Sequence, residues 1–147
     1  MRRLLLPAAL LGALASPTGT AAQPETLAIQ VDVTDTKHPE GSAGIALWAG
    51  EEGFPEDIEH AIRTIYVPIV NGQATTRFDG LAPGSYAVTV FNDRDDDEEF
   101  DKNWIGMPRE SWGVSNNARP RLRAPRFDEA VFELLGGENA TIAIEIR

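Results

Sequence analysis

The chain has no cysteine. No disulfide can support the fold, so stability must come from packing and hydrogen bonding. Thiolate zinc sites, cysteine nucleophiles and a cysteine-linked lipid anchor are excluded with it. Histidine is scarce: His38 and His60 are the only two. Both lie in the earlier half, in polar surroundings that read as surface. Positive charge is also scarce, with 13 Lys and Arg against 23 Asp and Glu and a formal charge of −10. That balance disfavours nucleic acid and anionic membrane surfaces, and suits cations or basic partners. Beyond Ala15 no run is apolar enough to cross a bilayer, so no transmembrane segment is expected. No glycine-rich phosphate loop occurs. Ser115, in Gly113-Val114-Ser115-Asn116-Asn117, lacks the second glycine of a nucleophile elbow.

What is present begins with Met1-Arg2-Arg3, an apolar run from Leu4 to Ala15, and the small residues Thr20-Ala21-Ala22. This three-part build reads as a secretory signal peptide over residues 1–22, cleaved after Ala22. Residues 23–147 then make one domain of 125 residues, large enough for its own core. Without Arg2 and Arg3, 11 basic residues face 23 acidic ones, a formal charge of −12. The expectation is an exported monomer, periplasmic or secreted.

Apolar alternation sets out the strands. Leu27, Ile29, Val31 and Val33 share one face of a first strand. Ser42 to Ala49 reads as a second, with Ile45 and Leu47 on one face and Trp48 on the other. Pro55 to Ile62 suits one or two helical turns, with an early proline and acids in the first turn. Arg63 to Val70 is a third strand, made an edge strand or a bulged one by Pro68, which has no N–H for a ladder. Asn71-Gly72 is a strong hairpin signal leading into Gln73 to Phe78. Leu81-Ala82-Pro83-Gly84-Ser85 is a tight turn into a fifth strand, Tyr86 to Asn92. Asp93 to Arg126 is long and aperiodic. It carries Trp104, Ile105, Met107, Trp112 and Val114, which disordered segments rarely contain, so it reads as an ordered excursion. Asp128 to Leu135 and Ala140 to Ile146 read as a final hairpin. Seven short strands with almost no helix predict an all-β protein, a single seven-stranded antiparallel β-sandwich.

Leu81-Ala82-Pro83-Gly84-Ser85-Tyr86 resembles the turn and strand entry of transthyretin-like and immunoglobulin-like sandwich modules. The wider run resembles the bacterial domain of unknown function family 2141. It takes in Phe78-Asp79-Gly80-Leu81 through Asp93, Asp101, Gly106-Met107-Pro108-Arg109-Glu110, Gly113 to Ala118 and Phe127-Asp128-Glu129-Ala130. The resemblance covers nearly all of the mature chain and implies a sandwich fold and an exported location. It implies no activity. Its pattern after the fifth strand looks like D-x-N-x-N-G-x-x-D. Asp93, Asp95, Asp97 and Asp101 fall on the four side-chain oxygen positions, and Glu98 stands where that pattern has glycine.

The loop itself holds seven carboxylates and one arginine between Asp93 and Asp101. Oxygen ligands at alternating positions of a curling loop are what a hard cation takes, and calcium takes six to eight. Asp93, Asp95, Asp97 and Asp101 supply side chains, and the Glu99 carbonyl stands where such loops give a backbone oxygen. The twelfth position is Trp104, so the bidentate glutamate of an EF-hand is missing. Glu110, Asn116 or Asn117 could supply ligands instead. A solvated acidic loop, or one paired with arginine, is the bland reading. The basic run Arg119-Pro120-Arg121-Leu122-Arg123-Ala124-Pro125-Arg126 reads as a solvated linker, with cover for the acidic loop or contact with an anionic polymer as functional readings. Trp104 and Trp112 read as anchors of the excursion, with sugar stacking as the functional alternative. The leading expectation is a non-catalytic module holding Ca2+, with an envelope or extracellular protein or glycan as partner. The alternatives are a cell-envelope polymer hydrolase using acids of residues 93–118, and a metal-independent module whose free third strand pairs with a partner.

Overall fold

A computed structural model describes residues 26–35, 37–100, 106 and 108–147. The strands follow the alternation. In β1 (Leu27–Asp35) Ile29, Val31 and Val33 are buried and form one wall of the core. β2 (Ser42–Trp48), β3 (Arg63–Pro68), β4 (Gln73–Leu81) and β5 (Gly84–Asp93) follow in order. β6 (Trp112–Val114), a one-turn helix α1 (Phe127–Ala130), β7 (Phe132–Leu134) and β8 (Ala140–Ile146) complete the chain.

Two sheets pack face to face. The first has the order β4-β1-β8. The second runs β3-β2-β5-β6, with β7 also on β5. β5 holds β6 through Thr89 to Phe91 and β7 through Gly84 to Tyr86. Between the sheets lie Ile29, Val31, Ile45, Leu47, Phe78, Val88, Val90, Ile144 and Ile146. Each buried side chain of this size contributes roughly 1.5–3 kcal/mol.

A second apolar layer covers the outer face of the second sheet. Trp48, Ala46, Ala87, Val114 and Ala130 are buried there beneath Phe54, Ile58 and Phe127. The Trp48 indole N–H donates to Thr89 Oγ1 at 3.0 Å. Phe54 meets Trp48 and Phe127 edge-on, with centroids 5.4 and 5.7 Å away. β5 is therefore buried on both faces, in keeping with a sequence that alternates less than that of β1. The helical turn expected near Pro55 is a single tight turn, Ile58–His60.

The all-β sandwich forms, with three differences from the expected seven antiparallel strands. The described residues form eight strands, and β8 runs parallel to β1 from Ile29↔Ala140 to Asp35↔Ile146. β7 and β8 do not pair as a hairpin; they join opposite sheets. Leu134 and Ile144 can then close the core from both sides. The Asn71-Gly72 turn does form, with reciprocal Val70–Gln73 hydrogen bonds and φ of 52° and 73°. Its ladder stops there, because β3 pairs with β2 and β4 with β1. Pro68 ends β3, and the Ile69 N–H turns to Gly41 O at 2.8 Å. Of the two readings that Pro68 left open, β3 is the edge strand.

Candidate acidic-loop site

The loop leaves the end of β5. Asp93 is 1% exposed, and its carboxylate accepts the Asp97 N–H at 3.2 Å and the Glu98 N–H at 3.0 Å. Asp97 accepts the Glu99 N–H at 2.8 Å. These bonds curl the chain back over Asp93. The curl needs left-handed backbone, and Asp96 and Glu98 adopt it at φ 57° and 63°. Glu98 thus takes the conformation of the missing glycine, at a cost of about 1 kcal/mol.

One oxygen from each of Asp93, Asp95 and Asp97 lies within 4.8 Å of the others. Three of the five sequence-designated residues therefore converge. Glu99 follows them with an exposed side chain and an N–H bound to Asp97. Asp101 lies outside the described residues, as do Trp104 and Met107. Asp96 is exposed, and Ser42 Oγ donates to it at 2.9 Å.

Tyr66 of β3 borders the loop and was not singled out by the sequence. Its hydroxyl donates to Glu98 O at 3.1 Å. Burial raises its pKa first, and Glu98, Asp93 and Asp97 raise it further. Its ring stands edge-on to Phe91, which in turn meets Phe100. A side chain at Gly44 would strike Phe91 at 2.6 Å, so glycine there is what lets these rings lie over β2. Only the register Gly44↔Tyr66 and Gly44↔Phe91 brings them together.

At the root of the loop stand Asp35, Asn92, Glu110 and Ser111, all buried. Asn92 Nδ2 reaches Asp35 Oδ2 at 2.9 Å, Glu40 O at 3.0 Å and His38 O at 3.1 Å. Asn92 Oδ1 has no hydrogen-bond partner among the described residues. It lies against Gly41, where a Cβ would come within 2.5 Å of it, so a glycine Cα–H faces that oxygen. Glu110 accepts the Arg94 N–H at 3.0 Å. A surface cleft beside the loop is lined by Arg94, Asp95, Arg109 and Glu110.

The other singled-out residues are placed elsewhere. Ser115 is fully buried; it accepts the Val88 N–H at 3.0 Å and donates to Ala130 O at 2.5 Å. Asn116 and Asn117 both have positive φ. Asn116 donates to Glu129 O and Val131 O, while Asn117 donates to Ala143 O and accepts the Glu145 N–H. These amides tie the sandwich together and are not directed to the acidic loop. A Cβ on Gly113 would lie 2.8 Å from Glu145 O, so glycine there lets β6 approach β8. His60 pairs with Asp57 at 3.1 Å and Glu52 at 3.5 Å, and the His38 N–H donates to Asp35.

Three arginines of the basic run spend their charge close to home. Arg119 stacks over Trp112 at 4.4 Å and donates to Trp112 O and Arg147 O. Burial, then the neighbouring Arg147, lower its pKa. Arg123 forms a two-pronged pair with Glu129 at 2.7 and 2.8 Å, and Arg126 pairs with Asp128 at 3.1 Å. None of these partners lies in the acidic loop. Trp112 is a partly buried anchor with an arginine on it.

No helix among the described residues is long and apolar enough to cross a membrane. Comparison with curated proteins found no match, and neither did comparison with solved structures. A family model does match over residues 31–143, and the chain belongs to that family, described as an uncharacterized protein conserved in bacteria (DUF2141).

Proposed function

We propose that the chain is a non-catalytic exported module, periplasmic or secreted, whose acidic loop binds Ca2+ and thereby braces a fold without disulfides. The observation that carries this reading is the convergence of Asp93, Asp95 and Asp97 oxygens within 4.8 Å of one another. Two oxygens on opposite sides of a calcium ion at about 2.4 Å each are separated by about that distance. The left-handed Glu98 supports the reading, because it gives the loop the turn that alternating ligands need. Asp101 and the Glu99 carbonyl would add oxygens, and water would fill the rest.

The test is calorimetric titration of the purified chain with calcium, beside thermal unfolding. At calcium ten times the dissociation constant, stability should rise by about 1.4 kcal/mol. The melting temperature should rise by about 4 °C. Asp95→Ala and Asp97→Ala should weaken binding more than Glu99→Ala, whose role is through the backbone. Terbium luminescence excited through Tyr66 gives a second readout, since its hydroxyl touches the loop backbone. No heat and no melting shift at millimolar calcium would sink the proposal.

A further inference from the structure

The acidic loop is held at two ends, and the second hold comes from beyond the excursion. β5 and β6 pair through Phe91↔Trp112, and the next bond, Asn92 N–H to Ser111 O, extends that register at 2.8 Å. Continued, that register would set Asp93 opposite Glu110 and then Arg94 opposite Arg109, and like charges directly across a ladder are unfavourable. The ladder breaks off there. The Arg94 N–H goes instead to the side-chain oxygen of Glu110 at 3.0 Å. Glu110 is only 6% exposed, and Ser111 beside it is 2% exposed and donates to Asp35 Oδ1 at 3.4 Å. The Glu110 carboxylate is thus mounted on a buried polar root, and it grips the residue between Asp93 and Asp95.

We infer that Glu110 is the positioning residue of this loop, acting through the Arg94 amide to set where Asp95 and Asp97 are held. This rests on the proposed calcium reading for its consequence, though not for its geometry. Groups that orient cation-binding side chains typically matter 10- to 100-fold for affinity.

The test compares Glu110→Ala with Glu110→Gln in the full chain. The glutamine keeps a carbonyl oxygen that can accept the Arg94 N–H; alanine does not. Amide hydrogen exchange by NMR is read at Arg94, Asp97, Glu98 and Glu99, with Ile45 and Val88 as core controls. Terbium titration is read in parallel. Glu110→Ala should lose protection at the four loop amides and raise the terbium midpoint about tenfold or more. The core amides should keep theirs, and Glu110→Gln should restore both readouts. Unchanged loop protection in Glu110→Ala overturns the inference. So does a Glu110→Gln protein that keeps Arg94 protection and loses terbium binding, because Glu110 would then be a ligand. If the wild-type chain binds no terbium, the calcium reading fails, and the exchange measurement still decides the role of Glu110.

Discussion

Glu98 and Gly41 both have positive φ near the acidic loop, and they tolerate side chains very differently. Glu98, at φ 63°, is exposed and has room for its side chain. Gly41, at φ 104°, has none: a Cβ would lie 2.5 Å from Asn92 Oδ1 and 3.0 Å from Asp93 O. Gly41→Ala should therefore cost at least about 2 kcal/mol in urea unfolding, from backbone strain and displacement of a buried amide. Glu98→Gly should stay within about 1 kcal/mol of wild type, since relief of strain is offset by backbone entropy. Glu98→Val should be the less stable of the two, because a β-branched residue resists left-handed backbone. The left-handed turn at Glu98 was legible, because the spacing of the aspartates marks where a glycine belongs. The demand on Gly41 was not, because the atoms that forbid a side chain sit on the far end of β5.

Local signals predicted turns and faces correctly but not partners, and α1 with its basic approach shows why. The basic run reads as a solvated linker, with long-range cover of the acidic loop as its functional alternative. Arg123 and Arg126 instead meet Glu129 and Asp128, which the helix turn sets within reach. Glu129 also accepts the Arg126 N–H at 2.8 Å, which caps the turn. The hydrogen bond from Arg123, then that from Arg126, lower the Glu129 pKa from 4.5 to about 2. A depressed acid stabilises the fold above its ordinary value and loses that effect as pH falls through its folded value. Thermal unfolding from pH 6 down to pH 2 should therefore lose this contribution progressively below about pH 4.5, and Glu129→Gln should flatten that part of the profile. An unchanged profile in the variant would show that the pair adds nothing to folding.

The two flanks of the whole sandwich are closed differently. On one flank the Arg147 N–H meets Trp112 O, and Asn117 engages Ala143 and Glu145 of β8. On the other, β3 and β4 are joined by the Val70–Gln73 turn and by Arg63 donating to Asp79 O at 2.5 Å. Ser115 is the tie between the closed flank, β5 and α1, through Val88 N–H and Ala130 O. Ser115→Ala leaves both groups buried without that partner. A loss of about 2–3 kcal/mol in denaturant unfolding is expected, with cation binding unchanged. Loss of cation binding without loss of stability would place Ser115 in the loop's own chemistry instead.

The sequence alone determined the class of fold, the core faces of the main strands, the positions of the turns and the spacing of Asp93, Asp95 and Asp97. All of these rest on periodicity or on neighbours a few residues apart. Tertiary structure decided which strand lies beside which, and so placed β8 parallel to β1 and β7 on β5. It also decided that Tyr66 touches Glu98, that Glu110 grips Arg94, that Asn116 bonds the backbone at the end of α1 and that Asn117 bonds β8. The physical reason is that a period of two selects the face a side chain occupies and carries no information about the neighbouring strand. That neighbour is chosen by closing one core with both sheets at once, which no local stretch of the chain can express.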